Sequence, residues 1–457
     1  MKRHRLTLQR SLPIAIAASA CALLISACGG SSPPATGSGP NAFKGQTLTV
    51  FANGPEGTYA RQYTDYYNAL TTAFHQATGA TLKMEYFSTP SQEISTIETS
   101  TVSGSGPDVV GYGTSFVGTL QATGDFPALT SQDWNVVGGK GAFFPAALYD
   151  AGTSPSQTIG LPYCTFPYVL AYNTKYFQAA GIKSPPTTWT EFVTDAQKIQ
   201  RAVPGVSGTG IDPADSFDPW KNIWLYTHAL GGHFVSPDNK TTQLASGPVQ
   251  SAVKFYFSLY YQYHVVPQQA LTWNNAEMGS AFTSGKIAMF PIASQTLMEA
   301  AKGTALDGHL AFAPLPVMPY GLTALPAGGH AAETMTTGGY WAVPRYAQSK
   351  TPLALQFAKV STTPAMQVTA YKLLGYMPVT YAGIKAVEQA DPASKPFITA
   401  AEGAQATSVN PVWSYVETGL GTAVNSIGSH LATSGSWSAS YADQQLKTAQ
   451  AAANAHM

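Results

Sequence analysis

Several residue sets in this chain have types suited to chemistry, and their spacing restricts what that chemistry could be. Asp212, Asp215 and Asp218 put three carboxylates at three-residue steps. A calcium loop takes its ligands from alternate positions and closes on a Glu, so this spacing predicts turn and helix-capping roles instead. His228 and His233 are five apart, whereas a helical zinc pair is four apart so that both rings share one face. The sequence contains no GxSxG nucleophile elbow and no GxxxxGK[ST] phosphate loop. Paired carboxylates for glycoside hydrolysis have no sequence spacing that would exclude them. These patterns predict no metal, no cofactor and no serine-nucleophile centre.

The thiol whose surroundings do point to chemistry is Cys28. Lys2, Arg3, Arg5 and Arg10 form a positive region, followed by an apolar stretch from Leu12 to Leu24 interrupted by Pro13. That stretch falls short of the ~20 apolar residues that span a bilayer and has the layout of a secretory signal. It ends in Leu24-Ile25-Ser26-Ala27-Cys28-Gly29, which looks like a bacterial lipobox. Small residues precede the cut, and a thiol can take a diacylglycerol thioether. Cys21, after Ala18-Ser19-Ala20, is a rival; Cys28 fits better, with Ile25 at the apolar position and a polar segment behind it. The expectation is a lipoprotein signal peptide over 1–27, then a lipidated Cys28 and a tether over 28–42. Residues 29–41, GGSSPPATGSGPN, carry no charge; Gly and Ser keep such a segment flexible while Pro stiffens it locally.

Composition narrows the classes further. Of 457 residues, 44% are hydrophobic and 11% charged, under half the roughly 25% charge of an average domain. Such a chain is not disordered, because disorder goes with low hydrophobicity and high net charge. Lys+Arg and Asp+Glu are both 24, so no basic excess exists to neutralise nucleic-acid phosphates. Loss of residues 1–27, which hold four basic and no acidic side chains, leaves 20 basic against 24 acidic residues. Arg61, Arg201 and Arg345 are then the remaining arginines, and Cys164 is left without a disulfide partner; it is expected to pack as a small apolar group. The length suggests two or three domains and supports a sizeable core.

The elements that must position any site read as α/β. Thr47–Phe51 is a short β-rich run, and Tyr63, Tyr66, Tyr67, Leu70, Phe74 and Ala77 then recur with helical period up to Gly79. Leu82, Met84 and Tyr86 alternate as a strand does. Thr89-Pro90 can start a helix, and Pro107–Val110 reads as a third strand. Strand, helix, strand, helix, strand at this spacing predicts βαβ units and a parallel sheet, which binds ligands at the carboxyl ends of its strands. Later segments predict a strand at Val169–Tyr172, helices around Thr190–Arg201 and Val249–Tyr263, and a mostly helical tail over Val416–Ala453.

From about Thr47 to Ala453 the sequence resembles an extracellular solute-binding protein of the carbohydrate type, the receptor of a bacterial ABC importer. The blocks that carry the resemblance are Gly104–Val110, Leu161-Pro162-Tyr163 with Tyr172-Asn173, Pro186–Phe192, Gly231-Gly232, Ala276–Met289, Gly338-Gly339 and Leu374–Val379, in that order. The resemblance implies a two-lobed periplasmic-binding-protein-like fold (type II) with a ligand cleft between the lobes. It implies crossings near 160 and 340, so that 43–160 plus 341–383 form an N-terminal lobe and 161–340 plus 384–457 a C-terminal lobe. It also implies a carbohydrate ligand, ABC permease subunits as membrane partners, a monomer, and a site of action at the outer face of the cytoplasmic membrane.

Sugar faces pack on flat aromatic rings, and sugar hydroxyls need paired donors and acceptors. On that basis Trp220, opening a helix after Asp218-Pro219, resembles the family's ring-stacking position, with core packing as the alternative. Trp273 and Asn274 lie in a loop before a helical run. Tyr112, Thr114 and Ser115 follow the third strand at its carboxyl end, Tyr112 as a wall and Ser115 as a hydroxyl partner. Glu56 follows the first strand, Gly338 and Gly339 would let backbone approach a ligand, and Trp413 is a further cleft aromatic. Two stretches depart from the family: Cys164-Thr165-Phe166-Pro167 replaces a charged or amide residue, and Phe290–Ser294 replaces Gly and an aromatic. These changes point away from long maltodextrin-like ligands. The alternatives are a receptor for a polyol or phosphorylated polyol, disfavoured by the scarcity of arginine for phosphate, and, from another class, a secreted glycoside hydrolase; the lipobox, the tether and the family blocks together point away from an enzyme.

Overall fold

The computed structural model describes residues 39–55, 60–154, 156–215 and 218–457. Glu56, Cys21, Cys28, the signal segment and most of the tether lie outside the described residues.

Two sheets organise the chain. Strands β1 (Thr47–Asn53), β2 (Thr81–Phe87) and β3 (Val109–Gly113) pair in parallel, with β1 in the middle. The β1–β2 crossover is the helix Ala60–Thr78, which buries Tyr66, Tyr67, Leu70 and Phe74, the periodic face read from the sequence. The next crossover is the helix Pro90–Ser103, where Thr89 caps the first turn and Gly104, at φ 66, ends the last. The βαβ reading therefore holds for this lobe. Beyond β3 the sheet is completed by β4 (Gly160–Thr165) and β9 (Gly338–Ala342); β9 runs antiparallel to both β3 and β4, giving the order β2-β1-β3-β9-β4.

The second sheet has the order β6-β7-β5-β8, from β5 (Val169–Asn173), β6 (Ser207–Thr209), β7 (Ile287–Ala293) and β8 (Leu310–Ala313). Only β6 and β7 run parallel; β5 is antiparallel to β7 and β8. Because β4 and β9 pair within the first sheet, the chain leaves that sheet between Thr165 and Val169 and returns between Ala313 and Gly338. The crossings expected near 160 and 340 correspond to these two passages, which end at Val169 and Gly338. The helices Trp189–Ala202, Pro219–Ala229 and Gly247–Tyr261 bury Phe192, Ile223 and Phe257 with Leu170 and Met289 of the second sheet.

Towards the C-terminus, Ile384 and Val387 pack in the core that contains the first sheet, Phe397 meets Phe312 of β8 with ring centroids 4.7 Å apart, and Val412 lies in the second core. The tail is two antiparallel-packed helices, Trp413–Ser434 and Ala439–Asn454, separated at Gly435 (φ 70). No helix among the described residues is long and apolar enough to cross a membrane.

Candidate functional site

A cavity of about 780 Å³ opens where the two sheets face each other, within the ~300–1,000 Å³ usual for small-molecule sites. On the first-lobe side, Asn53 ends β1 and Tyr63 sits in the first turns of the following helix. Asn53 donates from Nδ2 to the Tyr63 hydroxyl at 3.0 Å, and that hydroxyl meets the Tyr376 hydroxyl at 3.1 Å. Phe166, in the passage from β4 to β5, packs edge-on against Tyr376 with ring centroids 5.0 Å apart. Tyr376 follows Gly375, whose φ of 72 turns the chain out of the helix Pro364–Leu374. An aromatic corner is thereby built from three separate stretches of chain.

The second-lobe side is charged. Asp215 accepts backbone N–H groups from Asp218 (2.9 Å) and Asn275 (3.1 Å). Asn275 donates from its side chain to Asp212 at 3.3 Å, and the Tyr256 hydroxyl donates to the same carboxylate at 3.0 Å. Lys221 pairs with Asp218 and lies over the Tyr168 ring, 4.7 Å from its centroid. Burial pushes the Lys221 ammonium down to about 8, opposed by the nearby Asp212 and Glu417 carboxylates. Burial likewise raises Glu417 to about 7, against hydrogen bonds from Ser115 and Trp413. The turn role expected for the three aspartates is correct for Asp215. Asp218 precedes the helix Pro219–Ala229 but makes no side-chain cap; its carboxylate holds Lys221 instead.

Strand β7 shapes the remaining wall. Opposite Val169–Ala171 it carries one extra residue, a bulge of the kind that redirects side chains. Ile292, in that bulge and on the cavity wall, has φ 59, a conformation that is an outlier for a β-branched residue. Such strain persists where surrounding structure imposes it, and it clusters at functional sites. Ser294 and Gln295 follow on the same wall.

None of the nine described candidate residues is on this wall. Tyr112 is 2% exposed, stacked on Tyr340 at 5.3 Å, with its hydroxyl donating toward the Asp150 and Ala151 carbonyls; it is core, not a cleft wall. Thr114 and Ser115 form a short turn after β3, and Ser115 donates to Glu417 at 2.9 Å. Trp413 donates from Nε1 to the same carboxylate oxygen at 2.8 Å. Trp220, 2% exposed, meets Trp413 edge-on at 5.6 Å. Ser115, Trp220 and Trp413 thus gather in the packing around Glu417. Trp273 is half-buried against both cores. Asn274 caps the helix Asn275–Thr283, accepting from the Glu277 N–H at 2.9 Å. Gly338 and Gly339 leave room for the Cys164 carbonyl and the Tyr163 ring, since a Cβ at either position would collide with them. Their freedom serves strand packing and not ligand approach.

What sequence reading missed is adjacent to what it chose. Lys221 follows Trp220 and Asn275 follows Asn274. Phe166, Phe290 and Ile292 lie in the two stretches that depart from the family pattern, and Tyr376 lies in one of its blocks. Tyr63 was hidden among the periodic residues of a helix face.

The comparisons with known proteins agree with this architecture. The model of the bacterial extracellular solute-binding protein family matches residues 69–396, more than half of the chain. The chain belongs to that family. A Brucella abortus (strain 2308) protein named as a binding protein is 27% identical over 194 residues, 40% of this chain. The chain spans less than half (43%) of the length of that relative. Among solved structures, maltose-bound MalE3 of T. maritima superposes with a TM-score of 0.70 at 18% identity, covering 88% of this chain and 98% of that one. The acarbose-binding GacH receptor of Streptomyces glaucescens GLA.O gives 0.65 at 18%, covering 88% and 97%. A ribitol-bound solute-binding protein of Agrobacterium radiobacter K84 gives 0.68 at 20%, covering 91% and 100%. These solute-binding proteins share the two-lobed fold.

Proposed function

We propose that this chain is an exported receptor that captures a sugar, mono- or oligosaccharide, between its lobes and delivers it to the permease of an ABC importer. The observation that carries the reading is the cavity of about 780 Å³ between the two sheets, with Phe166 and Tyr376 on one side and Asn275 and the Asp215–Asp218–Lys221 group on the other. Aromatic faces suit the apolar faces of a pyranose, and the polar groups suit its hydroxyls. The maltose, acarbose and ribitol complexes of its structural neighbours support a polyhydroxylated ligand. The ribitol complex keeps a polyol as the second reading. A phosphorylated polyol fits less well, because Arg61, Arg201 and Arg345 are absent from the cavity wall and Lys221 is engaged by Asp218. A hydrolase fits less well too, since Asp215 is tied to two backbone amides and Asp218 to Lys221. In this reading Cys28 carries a lipid that holds the protein at the outer face of the cytoplasmic membrane, where it works as a monomer.

The test is a thermal-shift screen of the full chain against sugars and polyols. A ligand at 100 times its Kd adds ~2.7 kcal/mol to stability, which a melting curve resolves. A shift with at least one carbohydrate is expected; no shift with any of them, or release of reducing sugar with turnover, overturns the reading.

A further inference from the structure

The cavity runs along a helix. At one end Asn275 opens the helix Asn275–Thr283, its backbone N–H held by Asp215 at 3.1 Å. Ala276, Gly279, Ser280 and Thr283 follow on the cavity wall, at the spacing of a single helix face. Thr283 lies eight residues beyond Asn275, so this wall extends for roughly 12 Å at the α-helical rise. That is longer than one pyranose ring.

A second wall can be followed through its contacts. Lys221, which feels the Asp215 carboxylate, lies over the Tyr168 ring, 4.7 Å from its centroid. Phe166, two residues before Tyr168, packs on Tyr376 at 5.0 Å. Gly375 precedes Tyr376 and comes against Thr296, whose methyl would stand 3.2 Å from a Cβ at 375. Thr296 leads into the short helix Leu297–Ala300, which touches the helix Asn275–Thr283. Charged groups therefore lie at one end, the aromatic corner follows, and beyond it two adjacent helices make a floor of small side chains.

That floor is smooth and largely apolar. Ser280 and Thr283 turn their hydroxyls back onto the carbonyls of Ala276 and Gly279, at 2.9 and 3.0 Å. Gly279 leaves the most room. Outside its own helix, the one described atom within 4 Å of a Cβ built there is Phe290 Cε1, at 3.9 Å. A larger side chain at 279 would extend into the cavity. Ala300 is exposed on the same floor.

We propose that the cavity takes its sugar as an oligosaccharide of two or more units, the first beside the aromatic corner and the next on the small-residue floor, with Gly279 as the residue that sets the length. This rests on the reading of the cavity as a sugar site. A single ring beside Phe166 and Tyr376 leaves the floor in contact with water. A second ring covers it with an apolar face and releases that water.

The test is calorimetric titration of the full chain with sugars graded in length: glucose against maltose, cellobiose, trehalose and maltotriose, galactose against lactose and melibiose, and xylose against xylobiose. At least one disaccharide is expected to bind about tenfold tighter, or more, than the monosaccharide it contains. Gly279→Leu is expected to erase most of that gain while monosaccharide affinity holds within about twofold. Leucine suits a helix better than glycine does, so the melting temperature of this variant is expected not to fall. Ala300→Leu narrows the floor from the other helix and is expected to act in the same direction. A monosaccharide that binds as tightly as every oligosaccharide containing it overturns the length and leaves the sugar reading standing. Unchanged disaccharide affinity in both variants overturns the assignment of the floor. Failure of every sugar to bind overturns both the length and the sugar reading.

Discussion

Two aromatic residues with similar sequence contexts have opposite surroundings. Trp220 is 2% exposed and enclosed by Trp413 and the second core. Trp220→Ala should therefore cost about 3–5 kcal/mol of stability, as other deletions of buried rings do. Chemical denaturation is the measurement, and an unchanged midpoint with weakened sugar binding would return Trp220 to the ligand. Phe166 is half-buried on the cavity wall against Tyr376. Phe166→Ala should weaken the tightest-binding sugar roughly five- to tenfold through lost ring stacking, with a smaller change in melting temperature than Trp220→Ala produces. A loss of stability without loss of affinity would make Phe166 a packing residue.

At the scale of elements, local chemistry sets where helices begin and how the wall is aimed. The helix Trp189–Ala202 starts with a capping box. Thr188 accepts from the Glu191 N–H at 3.0 Å, and Glu191 accepts the Thr187 and Thr188 N–H groups at 2.8 and 3.1 Å. These hydrogen bonds hold the Glu191 carboxyl below its ordinary range. Thr188→Ala should cost about 1 kcal/mol, read as a lower denaturation midpoint, with sugar affinity unchanged because this terminus is remote from the cavity wall. The bulge in β7 belongs to the same scale. It turns Ile292 and the following Ser294-Gln295 to the cavity, and it arises from a register mismatch with β5 that is visible only once the two strands are paired.

At the scale of the molecule, buried carboxyl groups decide the response to pH. Burial raises Glu93 to about 8, Asp150 to about 7 and Glu417 to about 7. Asp150 is fully buried, and its burial outweighs the opposing influence of Thr336. In each case the native state prefers the protonated form. The stability linked to these groups is complete below their unfolded pKa values and declines as pH rises through 7 to 8. His228, which burial lowers to about 4, acts in the opposite direction between about 6.5 and 4, and one such group is outweighed by three. The melting temperature should therefore be several degrees higher at pH 5.5 than at pH 8, by calorimetry of the full chain; a lower value at pH 5.5 would show that these carboxyls are ionised in the native state. The second prediction at this scale concerns attachment. Cys28→Ser should move the protein from the membrane fraction to the soluble fraction of its native host, and persistence in membranes would show that another segment anchors it.

Much of this protein was legible before any coordinates. The periodic faces of the helix Ala60–Thr78 and the strands around it follow from side-chain pattern, because a 3.6-residue or two-residue repeat must bury one face. The family follows from ordered blocks, and the low charge follows from composition. What tertiary structure alone decided is which aromatic and polar groups meet. Trp220, at a helix start that resembles the family's ring-stacking position, and Trp413, after Pro411, read as cleft aromatics, yet they turn inward to pack on one another. Tyr63, Phe166 and Tyr376 come from positions 63, 166 and 376 and converge because the helix after β1, the passage from β4 to β5 and the turn after the helix Pro364–Leu374 pack together. Sequence spacing along one element carries no information about a cavity assembled from both lobes. The charged group on that wall is likewise a property of the assembled cavity, since Asp215, Asp218 and Lys221 are spaced along the sequence as any turn and helix start would be.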